Sequence, residues 1–404
     1  MAASPEFPTR DHPVLATTSS GRVTEPSVEL VESRESFARL IHRLGVEAII
    51  GIDTEAASFH RYHDRVYLLQ LSSRDHTAVV DPILVPGLPG LGDWLRADAT
   101  EFVFHDGDYD MRLLRHEFGF RVARLFDTRI AAQFLGEPGI GLAALLEKHF
   151  GVSTDKRFQR ADWSLRPLSM AMLEYAATDT KYLPALRDVL RGELEHIGRL
   201  AWVEEECELL TAVEWAPEEP PARAFLRLKG ARALDRRGLA ILRELFVWRE
   251  ETAARLDRAL FRVMSNETLV AIAGSRPRSP DALDRIRGVG RDTAGRRGGE
   301  LLAAVERGLV VPDSELPRFE RPIRFKPDPE FETVVARLKA WRTGLAEQLK
   351  LPPGLVAPNA LLESVARQRP VDLDQLAATS GVRRWQVTTF GAELLKAARG
   401  GDGA

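Results

Sequence analysis

The chain has 404 residues, 44% hydrophobic and 28% charged, with a formal net charge of −3. That length exceeds one ordinary core and predicts two or three domains, while the near-neutral charge excludes bulk basicity as the means of holding nucleic acid, so any basic surface is local. The single cysteine, Cys207, excludes an intrachain disulfide or a thiolate zinc cluster and fits a reducing cytoplasm, and no apolar stretch reaches the roughly 20 residues of a bilayer span.

Residues 1–27, rich in Ser, Thr and Pro without an apolar run, read as a disordered tail and not as a secretory signal. Ser33 is placed to cap a first helix, in which Phe37, Leu40, Ile41 and Leu44 fall at helical spacing. Residues 48–52 read as a buried strand that delivers Asp53 and Glu55. Residues two apart on a strand share a face, so both carboxylates project together. Val66–Ser72 and Thr77–Asp81 continue as a meander, Glu101–His105 is a fourth strand, Asp108–Phe118 a helix and Leu125–Asp127 a short fifth strand. Helices follow from Arg129, Leu142 and Leu168, the last expected to run to Ile197. Strands first, then strand and helix in alternation, predict a mixed sheet covered by helices over residues 28–215.

Four carboxylates stand out along this half. Asp53 and Glu55 form D-T-E, Asp110 closes the segment His105–Asp110, and Asp179 follows Tyr175 by four residues, one helical turn on the same face. Several converging oxygen ligands are what two divalent cations about 3.5–4 Å apart require, and such a pair is a standard device for cutting phosphodiesters. Each acid also has a plainer reading. Asp53 and Glu55 could be solvated charges at a strand end, and Asp110 is selected over Asp106 and Asp108 only by its spacing from His105 and Gly107. Tyr175 could be a core aromatic, and Asp127, which ends a strand before Thr128, reads as a helix cap.

The C-terminal half matches itself without a gap at an offset of 93 residues. Trp248-Arg249 falls on Trp341-Arg342, Asn266 on Asn359, Arg276-Pro277 on Arg369-Pro370, Gly288-Val289 on Gly381-Val382 and Glu300-Leu301-Leu302 on Glu393-Leu394-Leu395. Agreement among so many unlike residue types identifies a duplicated helical module, at 230–311 and 330–399. The prolines of 312–329 read as a semi-stiff spacer between the copies, and those of 217–221 separate the first copy from the half that precedes it.

D-T-E at Asp53–Glu55, H-x-G-x-x-D at His105–Asp110 and Y-x-x-x-D at Tyr175–Asp179, in that order, resemble the three motifs of the tyrosine subtype of DEDD exonucleases, and of the ribonuclease D family in particular. The segment Asp155–Arg160, with Asp162-Trp163-Ser164 and Arg166-Pro167-Leu168, is similar to the stretch ahead of that family's third motif. The duplicated module resembles the helicase-and-RNase-D C-terminal (HRDC) domain. The resemblance implies a ribonuclease H-like α/β exonuclease domain, a mixed sheet with helices, followed by two small all-α HRDC-type domains.

It also implies chemistry. Asp53, Glu55, Asp110 and Asp179 would hold two divalent ions, Mg²⁺ with Mn²⁺ able to substitute, and Tyr175 would orient the attacking water. The reaction would release 5′-mononucleotides from RNA 3′ ends, tRNA precursors being the implied substrate, in a cytoplasmic protein with a monomer favoured. A DNA-directed 3′–5′ exonuclease and a catalytically silent binding protein on the same scaffold are the alternatives, although the second would be expected to lack a carboxylate.

Residues expected to meet substrate are His105, which could instead cap the following helix, and Lys156, Arg157, Gln159, Arg160 and Arg166 as phosphate contacts, with Trp163 available for base stacking. The plainer reading of that segment is a solvated basic loop. In the first helical copy Arg285, Arg287, Arg291, Arg296 and Arg297 surround Gly288-Val289-Gly290, where backbone amides and guanidiniums could approach phosphate. The second copy departs here, with Arg383-Arg384-Trp385 after Gly381-Val382, which suggests a spacer or scaffold. Trp248 and Trp341 read as core.

Overall fold

Apolar residues that must bury two faces build the centre of the N-terminal half, in a computed structural model that describes residues 28–154, 157–215, 221–319 and 328–400. The expected N-terminal tail, Lys156 and parts of both proline-rich linkers lie outside the described residues. The elements are β1 (Glu29–Val31), α1 (Arg34–Leu44), β2 (Ile49–Glu55), β3 (Leu68–Ser72), β4 (Thr77–Val80), α2 (Leu91–Arg96), β5 (Glu101–Phe104), α3 (Asp108–Phe118), β6 (Leu125–Asp127) and α4 (Thr128–Leu135). α5 (Leu142–Phe150), α6 (Met170–Lys181), α7 (Leu183–His196) and α8 (Leu200–Thr211) follow.

The sheet runs β1-β4-β3-β2-β5-β6. β2, β3 and β4 form the expected antiparallel meander, and β5 and β6 add parallel strands on the far side of β2. β2 is therefore central and its C-terminal end carries the two acids of D-T-E. Ser33 caps α1 as expected, accepting from the Ser36 amide at 3.1 Å. Two expectations change. β1 pairs parallel with β4 and had no counterpart in the sequence reading, because three residues are too few for an alternation signal. The helix expected from Leu168 to Ile197 is two helices, broken at Tyr182, with Pro184 at the start of α7. A proline removes one helical hydrogen bond and clashes with the preceding turn, so it belongs in a first turn.

The C-terminal half consists of α9 (Pro221–Ala224), then α10 (Arg236–Leu256), α11 (Leu260–Val263), α12 (Asn266–Ser275), α13 (Pro280–Asp284) and α14 (Gly290–Val310). The second copy repeats them as α15 (Pro329–Leu349), α16 (Pro353–Val356), α17 (Asn359–Gln368), α18 (Leu373–Ala377) and α19 (Arg384–Arg399). Matching residues do matching work. Arg249 donates to the Met264 carbonyl at 3.2 Å and to Asn266 Oδ1 at 2.7 Å, and Arg342 donates to the Ala357 carbonyl and Asn359 Oδ1, both at 2.8 Å. Trp248 is buried, its indole N–H donating to Glu300 at 2.7 Å, in keeping with its reading as core.

The two copies differ in their neighbours. Each has its own core, centred on Leu245, Leu269, Ile272 and Leu301 in the first and on Leu338, Leu362, Val365 and Leu394 in the second. The second copy also lends Ala346, Leu351, Val356, Trp385 and Phe390 to the core of the N-terminal half. The Arg383-Arg384-Trp385 departure explains this. The Trp385 indole stacks on Trp202 of α8 at 4.6 Å, and the Glu205 carboxylate accepts the amides of Arg384 at 2.7 Å and Trp385 at 2.8 Å. A carboxylate thus satisfies orphan donors at the start of α19, and the turn serves as a dock. Residues 312–319 pack on the first copy. Arg236 donates to the Leu316 carbonyl at 2.9 Å and the Arg232 guanidinium lies 4.7 Å from the Phe319 ring, both tying this stretch to the first copy.

Candidate active site

Two glycines allow the acidic motifs to approach one another. A Cβ at Gly51 would lie 2.7 Å from the Thr180 carbonyl oxygen and 3.0 Å from Leu183 Cβ, so its absence lets the junction of α6 and α7 press onto β2. A bond between Ser72 and Thr180 hydroxyls, 2.7 Å, pins the same junction to β3. At Gly107 a Cβ would lie 2.7 Å from Phe104 Cβ, so the start of α3 folds tightly back on β5.

The result is a cluster. Oxygens of Asp53, Glu55 and Asp179 all lie within 4.8 Å of one another, in a half-buried position suited to a metal ion. Asp110 reaches the group from α3 by a different route. Its Oδ1 accepts from the Thr54 amide at 3.1 Å and from the Thr54 hydroxyl. Alternation along β2 points Thr54 away from the face that Asp53 and Glu55 share.

The electrostatics of the cluster favour a neighbouring positive charge. Burial, then the charges of Asp110, Asp179 and Glu55, hold Asp53 well above the usual carboxylate range. Burial, then Asp179 and Asp110, does the same for Glu55. Burial lifts Asp179 to about 7, and lifts Asp110 to about 6 against the opposing hydrogen bonds from Thr54. Four crowded acids with raised affinity for protons also have raised affinity for cations, and an all-oxygen set suits a hard divalent ion. The residues present fit such a group.

Tyr175 lies one turn ahead of Asp179 on α6, with its ring against Phe158 at 5.8 Å and Trp163 at 6.0 Å. Trp163 is therefore a correction. Expected as a base-stacking surface, it is 1% exposed and packs in the small core beneath α6. Arg166 is a second correction. Expected on phosphate, its guanidinium is occupied by Asp81 Oδ2 at 2.6 Å and by the carbonyls of Trp163, Leu165 and Tyr67 at 2.7–2.9 Å. Arg157, Gln159, Arg287 and Arg291 are exposed, which leaves their phosphate role open to test.

His105 neither caps α3 nor faces outward freely. The Thr128 hydroxyl donates to the Phe104 carbonyl at 3.0 Å, so His105 Nδ1–H donates to that hydroxyl at 2.9 Å. Burial and the Arg129 charge hold its pKa down at about 4, so the ring is neutral. Capping falls to Asp127, as expected. Its carboxylate accepts from Gly107, Arg129 and Ile130 amides at 2.8–3.0 Å and so joins the starts of α3 and α4.

The supporting residues Thr54, Gly51 and Thr128 were missed by motif reading. Thr54 had a signal, since it is the centre of D-T-E, but the spacing argument used only its neighbours.

Comparison with known proteins agrees with this geometry. The family described as 3′-5′ exonuclease matches residues 28–195, and the HRDC domain family matches 238–305 and 331–397. A ribonuclease D of Gluconacetobacter diazotrophicus is 34% identical over 386 residues, covering 94% of this chain and 95% of that one. Among solved structures, a protein from Bifidobacterium adolescentis matches with a TM-score of 0.78 and 25% identity over 93% of this chain and 100% of its own. Escherichia coli RNase D, described as an exoribonuclease involved in structured RNA processing, matches with a TM-score of 0.68 and 27% identity over 92% of this chain and 99% of its own. No helix among the described residues is long and apolar enough to cross a membrane.

Proposed function

We propose that this chain, which belongs to the ribonuclease D family and is a 3′–5′ exoribonuclease, trims RNA 3′ ends with two divalent cations held by Asp53, Glu55, Asp110 and Asp179. The observation that carries this reading is the convergence of Asp53, Glu55 and Asp179 oxygens within 4.8 Å, with Asp110 tied to the intervening Thr54. Mg²⁺ suits these ligands and Mn²⁺ substitutes. Bound there, such a pair would supply stabilisation of the charge on the attacking and leaving oxygens of an in-line displacement.

The protein supplies position and proton handling. Tyr175, packed against Phe158 and Trp163, orients the attacking water by hydrogen bond and, as the phenolate that a neighbouring cation would favour, would take up the water's proton to return to the phenol. His105, neutral and fixed on Thr128, acts as a positioning residue for the start of α3 and hence for Asp110. Arg157 and Gln159 contact phosphates near the terminal nucleotide, and Arg287 and Arg291 contact phosphates farther along the strand. The substrates are tRNA precursors, the product is a 5′-mononucleotide, and the enzyme works as a cytoplasmic monomer.

The test is a purified protein, a 3′-extended tRNA precursor and Mg²⁺, resolved on a gel. Stepwise shortening from the 3′ side is expected, and internal fragments or undiminished turnover in excess chelator would reject the reading. Matched RNA and DNA oligonucleotides in the same assay separate ribonuclease from deoxyribonuclease preference. Tyr175→Phe should lower kcat roughly 100-fold or more with KM little changed.

A further inference from the structure

The first helical copy meets the catalytic half through the loop that follows Glu55, and this seam has two features that the carboxylates do not explain. The first is a pair of aromatic rings. Phe59 and Phe261 come from different halves of the molecule and meet edge to face at 6.4 Å and 71°, yet they are 46% and 56% exposed. Phenyl rings that only staple two domains together would ordinarily be buried. Guanidiniums flank them, Arg160 at 5.1 Å from the Phe59 ring and Arg262 at 5.9 Å from that of Phe261.

The second feature is a hollow of about 460 Å³ whose charged lining is Arg255, Arg258, Arg262, Arg296 and Arg297 against a single acid, Glu300. Such a concentration of like charge, in a chain of net charge −3, creates a local field that attracts a polyanion. The two features are continuous, because Arg262 belongs to both and its Nε donates to the Phe59 carbonyl at 2.6 Å. They also lead back to the catalytic cluster. Ser58, the neighbour of Phe59, contacts the Tyr109 hydroxyl at 3.0 Å, and Tyr109 adjoins Asp110.

We propose that this seam is the track for the single-stranded RNA upstream of the reacting 3′ end, with bases stacking on Phe59 and Phe261 and phosphates lying in the arginine hollow. Exposed rings flanked by cations fit an unpaired strand, whose base faces are open, and do not fit a duplex, whose faces are stacked. The inference rests on the exonuclease reading and extends it. It places phosphate contact at the end of α10 and along α14, beyond the Gly288–Gly290 turn.

Two substrates with the same 3′ end test it in the full-length enzyme with Mg²⁺: a dinucleotide, too short to reach the seam, and a single strand of about 12 nucleotides. Arg258→Glu with Arg297→Glu should raise KM for the longer RNA about tenfold or more and flatten its salt dependence. Dinucleotide turnover should stay within about twofold, because the steps at the carboxylates are untouched. Phe261→Ser should act in the same direction and Phe261→Trp should restore binding. An unchanged KM for the longer RNA in the charge-reversed enzyme overturns the proposal, and so does an equal loss on the dinucleotide. A wild-type enzyme inactive on both substrates would reject the exonuclease reading itself, and the track with it.

Discussion

The carboxylate of Asp110 is held by Thr54, whose backbone N–H donates at 3.1 Å and whose hydroxyl donates to the same oxygen. The middle residue of D-T-E thus fixes the acid of the second motif, 56 positions away, while its two neighbours face the third motif. Thr54→Val keeps the shape and the amide bond but removes the hydroxyl. Loss of a hydrogen bond that orients a metal ligand typically costs 10–100-fold. We expect kcat to fall by about that factor, with the Mg²⁺ concentration for half-maximal rate raised. Wild-type metal dependence in this variant would show that Thr54 is only packing.

Raised carboxylate pKa values make the metal-free protein sensitive to pH in a defined direction. Asp110 titrates at about 6 and Asp179 at about 7 in the fold, both above their ordinary value of 3.8, so the folded state binds more protons than the unfolded chain between these limits. Their contribution is fully present below pH 4 and is lost as pH rises through 7. Asp179→Asn removes one of the repelling charges. In chelator at pH 8 it should raise Tm by about 2–4 °C while abolishing nucleotide release and the Tm gain from Mn²⁺. A lower Tm for the variant under those conditions would contradict the electrostatic account.

Metal binding must displace those protons. Titration of Mn²⁺ into the wild-type protein at pH 6 should release protons, visible as a buffer-dependent heat, and the release should shrink by pH 9. Heat independent of the buffer at pH 6 would mean that the carboxylates are already ionised.

Close approach at Gly51 gives a further expectation. An alanine there would place Cβ 2.7 Å from the Thr180 carbonyl oxygen, and neither backbone segment is free to yield. Overpacking of this kind costs about 1–3 kcal/mol. Because the displaced segment carries Asp179, a shift near 1 Å should lower kcat about 100-fold, more than the loss of stability alone would suggest. A stable, fully active Gly51→Ala enzyme would show that α6 can retreat without moving its acid.

The Trp202–Trp385 stack makes the second copy part of the catalytic half. Trp385→Ala removes a 3% exposed indole and should cost about 3–5 kcal/mol at this junction. Limited proteolysis should then release the second copy from the rest of the chain, with the first copy intact. An unchanged digestion pattern would mean that Glu205, which holds the start of α19, suffices for docking.

Much of the fold follows from pattern. Apolar runs named β2 to β6, helical stretches were placed at α1, α3, α4 and α5, and the repeat at an offset of 93 foretold Arg249 and Arg342 doing the same work. What escaped were the three residues of β1, the short α2, the twelve-residue α8, and the break at Tyr182, where periodicity continued across Pro184. In the site, Asp53, Glu55 and Asp179 come together as expected, while Trp163 and Arg166 turned out to be parts of the framework. Their side-chain types suit nucleic acid and a buried core equally well, and only their surroundings distinguish the two.

Local residue chemistry by itself determined which groups were available: four acids, a tyrosine one turn from one of them, and a duplicated helical unit. Tertiary structure decided which acids converge, which arginines are already occupied, and that the second copy's altered turn docks onto α8. The reason is that ligation, burial and stacking depend on distances between segments far apart in the chain, and those distances are set by packing at places such as Gly51 and Trp385, where no motif is written.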